Sequence, residues 1–416
     1  MDRLYETKSY LKEYVTLIEE SGYDEKNRPY VELRETVFFP NEGGQNADTG
    51  ELTVLNTDGA NGEKEDDIIN VRIIDGIISG RQTCSGKSGG SFKIRYIVSR
   101  PLKKGMMVLC RLDWDKRYDR MQNHSGEHIL TGVIHNKYGY DNVGFHLSDT
   151  DFVTLDINGI ISYEEVLESE MEANRVIYAN MPVRDSYPDK KELMNIDYRS
   201  KIEIDDQVRL ITIGDEESTV DVCACCAPHV RRTGEIGIIK VISVTRHKGG
   251  TQIVILCGRR ALEYINRELD ILKRTANILS TETVNIPDRV ESYRKEIYDL
   301  KGKFNHLSKS SLIEKINSVA DDSMRCVFVK EEYPVVVIQE IYNALTVKYD
   351  GYVGVFTGDD DNGYRYNAGS LKEDSLELAK IFEDRFGAKG GGNADMIRGK
   401  VMASKEDIIK IFKMSG

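Results

Sequence analysis

Two short stretches roughly a hundred residues apart, HSGEH at 124–128 and CCAPH at 225–229, place the tightest constraint on how this 416-residue chain folds. His124 and His128 are four apart, so on a helix they share one face. Cys225 and His229 are also four apart, and Pro228 stiffens the turn between them. Each pair alone has an ordinary reading: a polar helix face for the first, and for the second a cysteine buried as a small hydrophobe. Together they supply three imidazoles and a thiolate, a donor set suited to tetrahedral Zn2+. The set exists only if the fold brings the two stretches together. Cys223 and Cys226 are spare thiols, and spacing alone does not choose between them and Cys225. HSGEH also matches H-x-x-E-H, the inverted zinc-peptidase motif, with Glu127 as general base. On that reading a downstream glutamate is the third ligand and CCAPH is incidental.

The pattern around these stretches predicts an α+β multidomain chain. Residues 1–105 run in short alternating segments (YVELRETVFFP, GELTVLNTDG, NVRIIDGIISG, FKIRYIVSR) punctuated by Gly, Asn and Asp, the signature of a β-barrel-like N-terminal domain. Residues 106–258 mix helices, expected over Arg117–Tyr138 and Tyr163–Ala179, with strand-like VRLITIG, IGIIKVISVTR and TQIVILCG. These form an α+β domain around the metal pairs. Residues 259–318 have helical spacing and abundant charge, broken at STETVNIPD with Pro287 just inside the second helix. They read as a helical hairpin, a linker or dimerisation arm that would support a homodimer. Residues 319–416 alternate strand and helix, including a helix over Lys372–Phe386, as a C-terminal α/β domain.

No run approaches the roughly 18 apolar residues of a membrane span, and the N-terminus MDRLYETKSYLKEYV has no signal-peptide apolar block. Seven cysteines, three of them crowded into DVCACCAPH, do not form a disulfide framework. The expected compartment is the cytoplasm. A formal charge of −12 argues against a generic nucleic-acid binder, because phosphate contacts need Lys and Arg. The charge leaves room for a local basic face.

Four motifs, in order along residues 30–260, resemble those of alanyl-tRNA editing domains. ETVFFPNEGGQNADTG is similar to the family's T-x-F-Y-P…G-G-Q…D-x-G segment, and DWDKRYDRMQNHS to its D-W-x-x-R-x-x-x-M-x-x-H approach. HSGEH resembles H-x-x-x-H, and CCAPHV followed by TGEIG resembles C-x-x-x-H-V and T-G-E-I-G. The helical pair and GGGNADMIRG resemble the C-terminal half of the long free-standing editing proteins, which ends in a domain associated with DHH-type phosphoesterases. The chain begins directly with the β-rich domain, so the expectation is a trans-acting editor rather than a tRNA-charging enzyme.

The resemblance implies hydrolysis of the ester that joins a wrong amino acid, chiefly serine, with glycine as the alternative, to the 3′ end of tRNA(Ala). It implies His124, His128, Cys225 and His229 as zinc ligands. Thr36 would face the aminoacyl side chain, where its hydroxyl would select for that of serine, and Gln45 would point into the same pocket. Gly43 and Gly44 would let the backbone approach the terminal adenosine. Glu127 is a candidate auxiliary base. Gly390, Gly391 and Gly392 would cradle phosphate, with Arg398 and Lys400 as nearby cations for the body of the tRNA. Tyr364 and Tyr366 are read as buried strand tyrosines before base-stacking groups.

The chain departs from the family at three points. Glu42 replaces the first glycine of G-G-G-Q, CCAPH replaces C-G-G-T-H, and Gln252 stands at a commonly basic position. Two further readings stay open: a non-catalytic tRNA-binding protein with a structural zinc, and an editor of threonyl-tRNA, whose domain shares both metal pairs.

Overall fold

The computed structural model describes residues 2–55, 69–79, 93–147, 152–200, 208–215, 217–318, 325–329 and 333–414. Cys84 lies outside the described residues. The chain divides into two compact units, Met1–Ile271 and Leu272–Gly416. Among the described residues no helix is long and apolar enough to cross a membrane.

The first unit opens with six antiparallel strands: β1 (Glu13–Tyr23), β2 (Pro29–Leu33), β3 (Gly50–Val54), β4 (Asn70–Ser79), β5 (Lys93–Val98) and β6 (Met107–Leu112). They close into a barrel in the order β1-β2-β5-β4-β3-β6. Alternation drives this arrangement, since successive side chains of a strand face opposite sides. On β4, Val71 and Ile73 point inward, as Val108 and Cys110 do on β6. Tyr5, Phe38, Phe39 and Tyr96 fill the interior with them. Each such large apolar side chain stabilises the fold by about 1.5–3 kcal/mol on burial.

Helix α1 (Trp114–Tyr138) follows at once. Asp113 caps it by accepting from the Lys116 amide, and Gly139 ends it in the left-handed conformation, φ 71°. The side chain at the barrel–helix joint is Asp48. Its carboxylate accepts from the Phe39 amide at 2.7 Å, from Arg117 Nε at 2.9 Å and from Arg120 Nη1 at 3.1 Å. Arg117 is fully buried and also donates to the carbonyls of Ser9 and Val37.

The other face of α1 packs, with α2 (Tyr163–Tyr178), onto a four-stranded sheet. Its strands are β7 (Asn142–His146), β8 (Val153–Ile157), β12 (Ile239–His247) and β13 (Gly250–Cys257), in the order β12-β13-β8-β7. A three-stranded sheet of β9 (Val183–Ser186), β10 (Leu210–Gly214) and β11 (Thr219–Ala224) completes the unit. Gly126 lies where α1 meets β13: a Cβ there would sit 2.4 Å from Cys257 Sγ. That contact accounts for the glycine in HSGEH.

The expected long helices form as α3 (Gly258–Ile278) and α4 (Ile286–Ser318), with Pro287 in the first turn of the second. The second unit then builds a sheet from β14 (Cys326–Val329), β15 (Val353–Asp359), β16 (Gly363–Gly369), β17 (Lys389–Gly392) and β18 (Ile397–Val401), in the order β14-β15-β16-β18-β17. Helices α5 (Val335–Lys348), α6 (Ser375–Phe386) and α7 (Lys405–Met414) accompany it. Helix α6 starts three residues later than the sequence suggests, because the Asp374 side chain caps it at the Leu376 amide.

Candidate metal centre and its cavity

The fold brings HSGEH and CCAPH together. One donor atom from each of His124, His128, Cys225 and His229 lies within 4.8 Å of the others. Cys225 Sγ is 3.6 Å from His124 Nε2 and 3.3 Å from His229 Nε2. Zinc bonds of about 2.0–2.3 Å require tetrahedral donors to stand roughly 3.3–3.8 Å apart, so the two separations from Cys225 fit the ion. Arg209 sets the Cys225 side of the site by donating to the carbonyls of Cys225 and Ala227 at 3.2 and 2.8 Å. The T-G-E-I-G turn sets the His229 side, where Glu235 accepts from the amides of Arg231 and Arg232 at 3.1 and 3.0 Å.

Each histidine uses its Nδ1 in a further hydrogen bond. His124 Nδ1 is 2.7 Å from Gln45 Oε1, His128 Nδ1 is 3.0 Å from Asp221 Oδ2, and His229 Nδ1 is 3.0 Å from Ser125 Oγ. Amide and carboxylate oxygens only accept, which puts the proton of His124 and His128 on Nδ1 and leaves Nε2 as the ligand atom. Asp221 also accepts from Arg199 Nε at 2.7 Å, and Arg199 Nη2 reaches Thr131 Oγ1 at 3.0 Å.

The electrostatics suit a cation. Burial would raise the Cys225 thiol, but His124 and His229 outweigh it and hold the thiol well below its ordinary range. Burial drives His229 down to about 3 against the pull of Cys225, keeping it neutral. Thiolate and neutral imidazole are the metal-binding forms. Burial also opposes charge on His128, yet Cys223, Glu127 and Asp221 overcome it and raise the ring well above its ordinary value. The groups that hold a proton there would equally stabilise a bound cation. Asp221 sits below the usual carboxylate range although burial opposes it, because His128 and Arg199 face it.

The cluster lies at the wall of a cavity of about 430 Å³, whose lining includes Gly43, His124, Glu127, His128, Phe145 and Cys225. Glu127 faces the site: its Oε2 is 3.8 Å from His128 Nε2, and its Oε1 accepts from Asn142. Cys223 also lines the cavity, beside His128 and Asp221. Cys226 lines the cavity as well but is not one of the four converging donors.

Other anticipated residues stand elsewhere. Gln45 meets His124 and is not among the cavity-lining side chains. Thr36 is fully buried in the barrel, where its hydroxyl is 2.7 Å from Tyr96 Oη and accepts from the Phe38 amide at 3.1 Å. It too is absent from the cavity lining, because the barrel interior claims its polar group. Gly390, Gly391 and Gly392 form the exposed edge strand β17, paired with β18, rather than a loop. Arg398 and Lys400 are exposed on β18. Tyr364 and Tyr366 are buried among Phe356 and Phe382.

Asp221, Ser125, Asn142 and Arg199 were not singled out from the sequence. Asp221 had one signal: on a strand it shares a face with Cys223.

Comparison with known proteins gives the context. Residues 208–253 match the family "Threonyl and Alanyl tRNA synthetase second additional domain". The chain is 27% identical to the alanyl-tRNA editing protein AlaX-L of Pyrococcus horikoshii, over 99% of this chain and 97% of that protein. It is 29% identical to the alanine–tRNA ligase of Pyrococcus furiosus and 31% identical to that of Halorubrum lacusprofundi. Those matches cover 92% and 67% of this chain but only 41% and 27% of the ligases. From end to end, then, this chain resembles the long free-standing alanyl-tRNA editing proteins.

Proposed function

We propose that this chain is an aminoacyl-tRNA deacylase that acts in trans, hydrolysing the ester of Ser-tRNA(Ala), with Gly-tRNA(Ala) as a second substrate, at a Zn2+ centre held by His124, His128, Cys225 and His229. The observation that carries the proposal is the convergence of those four donors beside a cavity, in a chain similar throughout to AlaX-L. When bound, zinc would supply Lewis acidity and fix the geometry of the pocket.

The chain's own groups supply the rest. Glu127, oriented by Asn142, lies where it can take a proton from the attacking water and return it to the departing 3′ oxygen. Gly43 contributes open, side-chain-free wall for the terminal nucleotide. In the second unit, the bare edge strand Gly390–Gly392 and the exposed Arg398 and Lys400 offer amides and cations to the tRNA backbone. Exposed Ile297, Phe304 and Leu307 on α4 offer an apolar face for self-association into a homodimer.

The inverted peptidase reading makes Cys225 incidental. The approach of Cys225 Sγ to the Nε2 atoms of His124 and His229 favours the deacylase instead. The test is release of labelled serine from Ser-tRNA(Ala), with Ala-tRNA(Ala) and Ser-tRNA(Thr) in parallel. Selective release from Ser-tRNA(Ala) that His124→Ala abolishes is the expected result. Zinc-loaded protein that binds tRNA but frees no amino acid would leave a structural metal in a binding protein. Faster release from Ser-tRNA(Thr) would move the substrate to threonine tRNA.

A further inference from the structure

We infer that Gln45, carried on the Gly43-Gly44 turn, is a positioning residue for the metal ligand His124 rather than a contact for the substrate. The inference rests on the metal centre proposed above. Glu42 and Gln45 exchange backbone hydrogen bonds of 3.2 and 3.0 Å across the two glycines. Gly43 and Gly44 have φ of 60° and 83°, the conformation of a primed hairpin turn, which selects glycine.

Gly44 has a second constraint. A Cβ there would lie 2.2 Å from the Phe145 carbonyl oxygen. The Leu147 amide donates to Gly44 O at 2.8 Å and the Asn46 amide to Leu147 O at 3.3 Å, so the turn is fastened to the end of β7. The same strand packs the Phe145 ring against that of His124, with centroids 4.7 Å apart. One strand thus fixes both the imidazole and the side chain that orients it.

The Gln45 amide reports its task. The side chain is 2% exposed, its Oε1 is 2.7 Å from His124 Nδ1, and its buried Nε2 has no hydrogen-bond partner among the described residues. The carbonyl end is matched and the amino end is not. That is the mark of a group placed for its acceptor, which holds the Nδ1–H tautomer and presents Nε2 to the metal.

The test uses the full chain with zinc affinity as the readout, measured by competition with a chromophoric chelator, together with the visible spectrum of the Co2+-substituted protein. Gln45→Ala is expected to weaken zinc roughly 10–100-fold and shift the cobalt bands, with KM for Ser-tRNA(Ala) unchanged. Gln45→Glu keeps an acceptor facing Nδ1 and is expected to restore affinity to within about threefold. Trp114 emission verifies that each variant is folded. Zinc affinity within about twofold of the unsubstituted protein, with a raised KM, would place Gln45 against the substrate and overturn the inference. Failure of the unsubstituted protein to bind zinc would overturn the metal reading as well. Zinc binding without deacylation would overturn only the proposed reaction.

Discussion

Replacing Asp48 with alanine should detach α1 from the barrel, and the structure fixes the size of the effect. The Asp48 carboxylate is 1% exposed and stands between two guanidiniums that are 0% and 1% exposed. Removing it takes the anion from a buried charge cluster, and breaking a buried pair this way costs about 3–5 kcal/mol. The Phe39 amide also loses its acceptor, adding about 1–3 kcal/mol. Arg117 keeps the carbonyls of Ser9 and Val37, so the bottom of the combined range is the better expectation, about 4 kcal/mol. The chain's single tryptophan, Trp114, lies in the first turn of α1 and stacks on Tyr118, so its emission reports on this joint. With a urea slope of about 3 kcal/mol/M, the midpoint should fall by roughly 1.3 M. Asp48→Asn keeps the shape and one acceptor and should lose less. A shift below about 0.3 M for Asp48→Ala would mean that the two arginines are satisfied without the carboxylate, which refutes the account of the joint.

Three further outcomes are expected. Asp221→Asn should weaken zinc by about 10–100-fold, because the acceptor of His128 Nδ1–H loses its charge; chelator competition measures it, and unchanged affinity would make Asp221 a partner of Arg199 alone. Thr36→Val should cost about 1–3 kcal/mol by stranding the Phe38 amide in the barrel; a melt as stable as that of the unsubstituted chain would show that the hydroxyl is not needed there. At free zinc a thousandfold above its Kd, the metal should stabilise the folded protein by about 4 kcal/mol, read as a lowered melting temperature after chelation; identical melts would argue against a bound ion.

The sequence made some of this legible and hid the rest for physical reasons. Ligand pairs four residues apart and strands of period two are local patterns, so HSGEH, CCAPH and the alternating strands could be read directly. Ser125 and Asp221 acquire their roles only when α1, β11 and the loop after β11 meet, and no local pattern encodes that meeting. Gln45 shows the limit most clearly. The motif was visible and the direction of its side chain was not, because that direction depends on a turn of two left-handed glycines docked on β7. Thr36 is a similar case, drawn into the barrel by Tyr96.

The split of the donor set between α1 and the loop after β11 also concerns the chain as a polymer. His128 and Cys225 are separated by nearly a hundred residues, so an ion held by both acts as a cross-link that closes a large loop. For a loop of that length, the chain-entropy estimate for a permanent link is about 4–5 kcal/mol at room temperature. The clasp can fasten only after β7–β11 and both helices have emerged and found their places. Capture of the ion would therefore wait until His229 is made, with β12 and β13 of the same unit still to follow, and a chain stalled before His229 would lack the means to hold it.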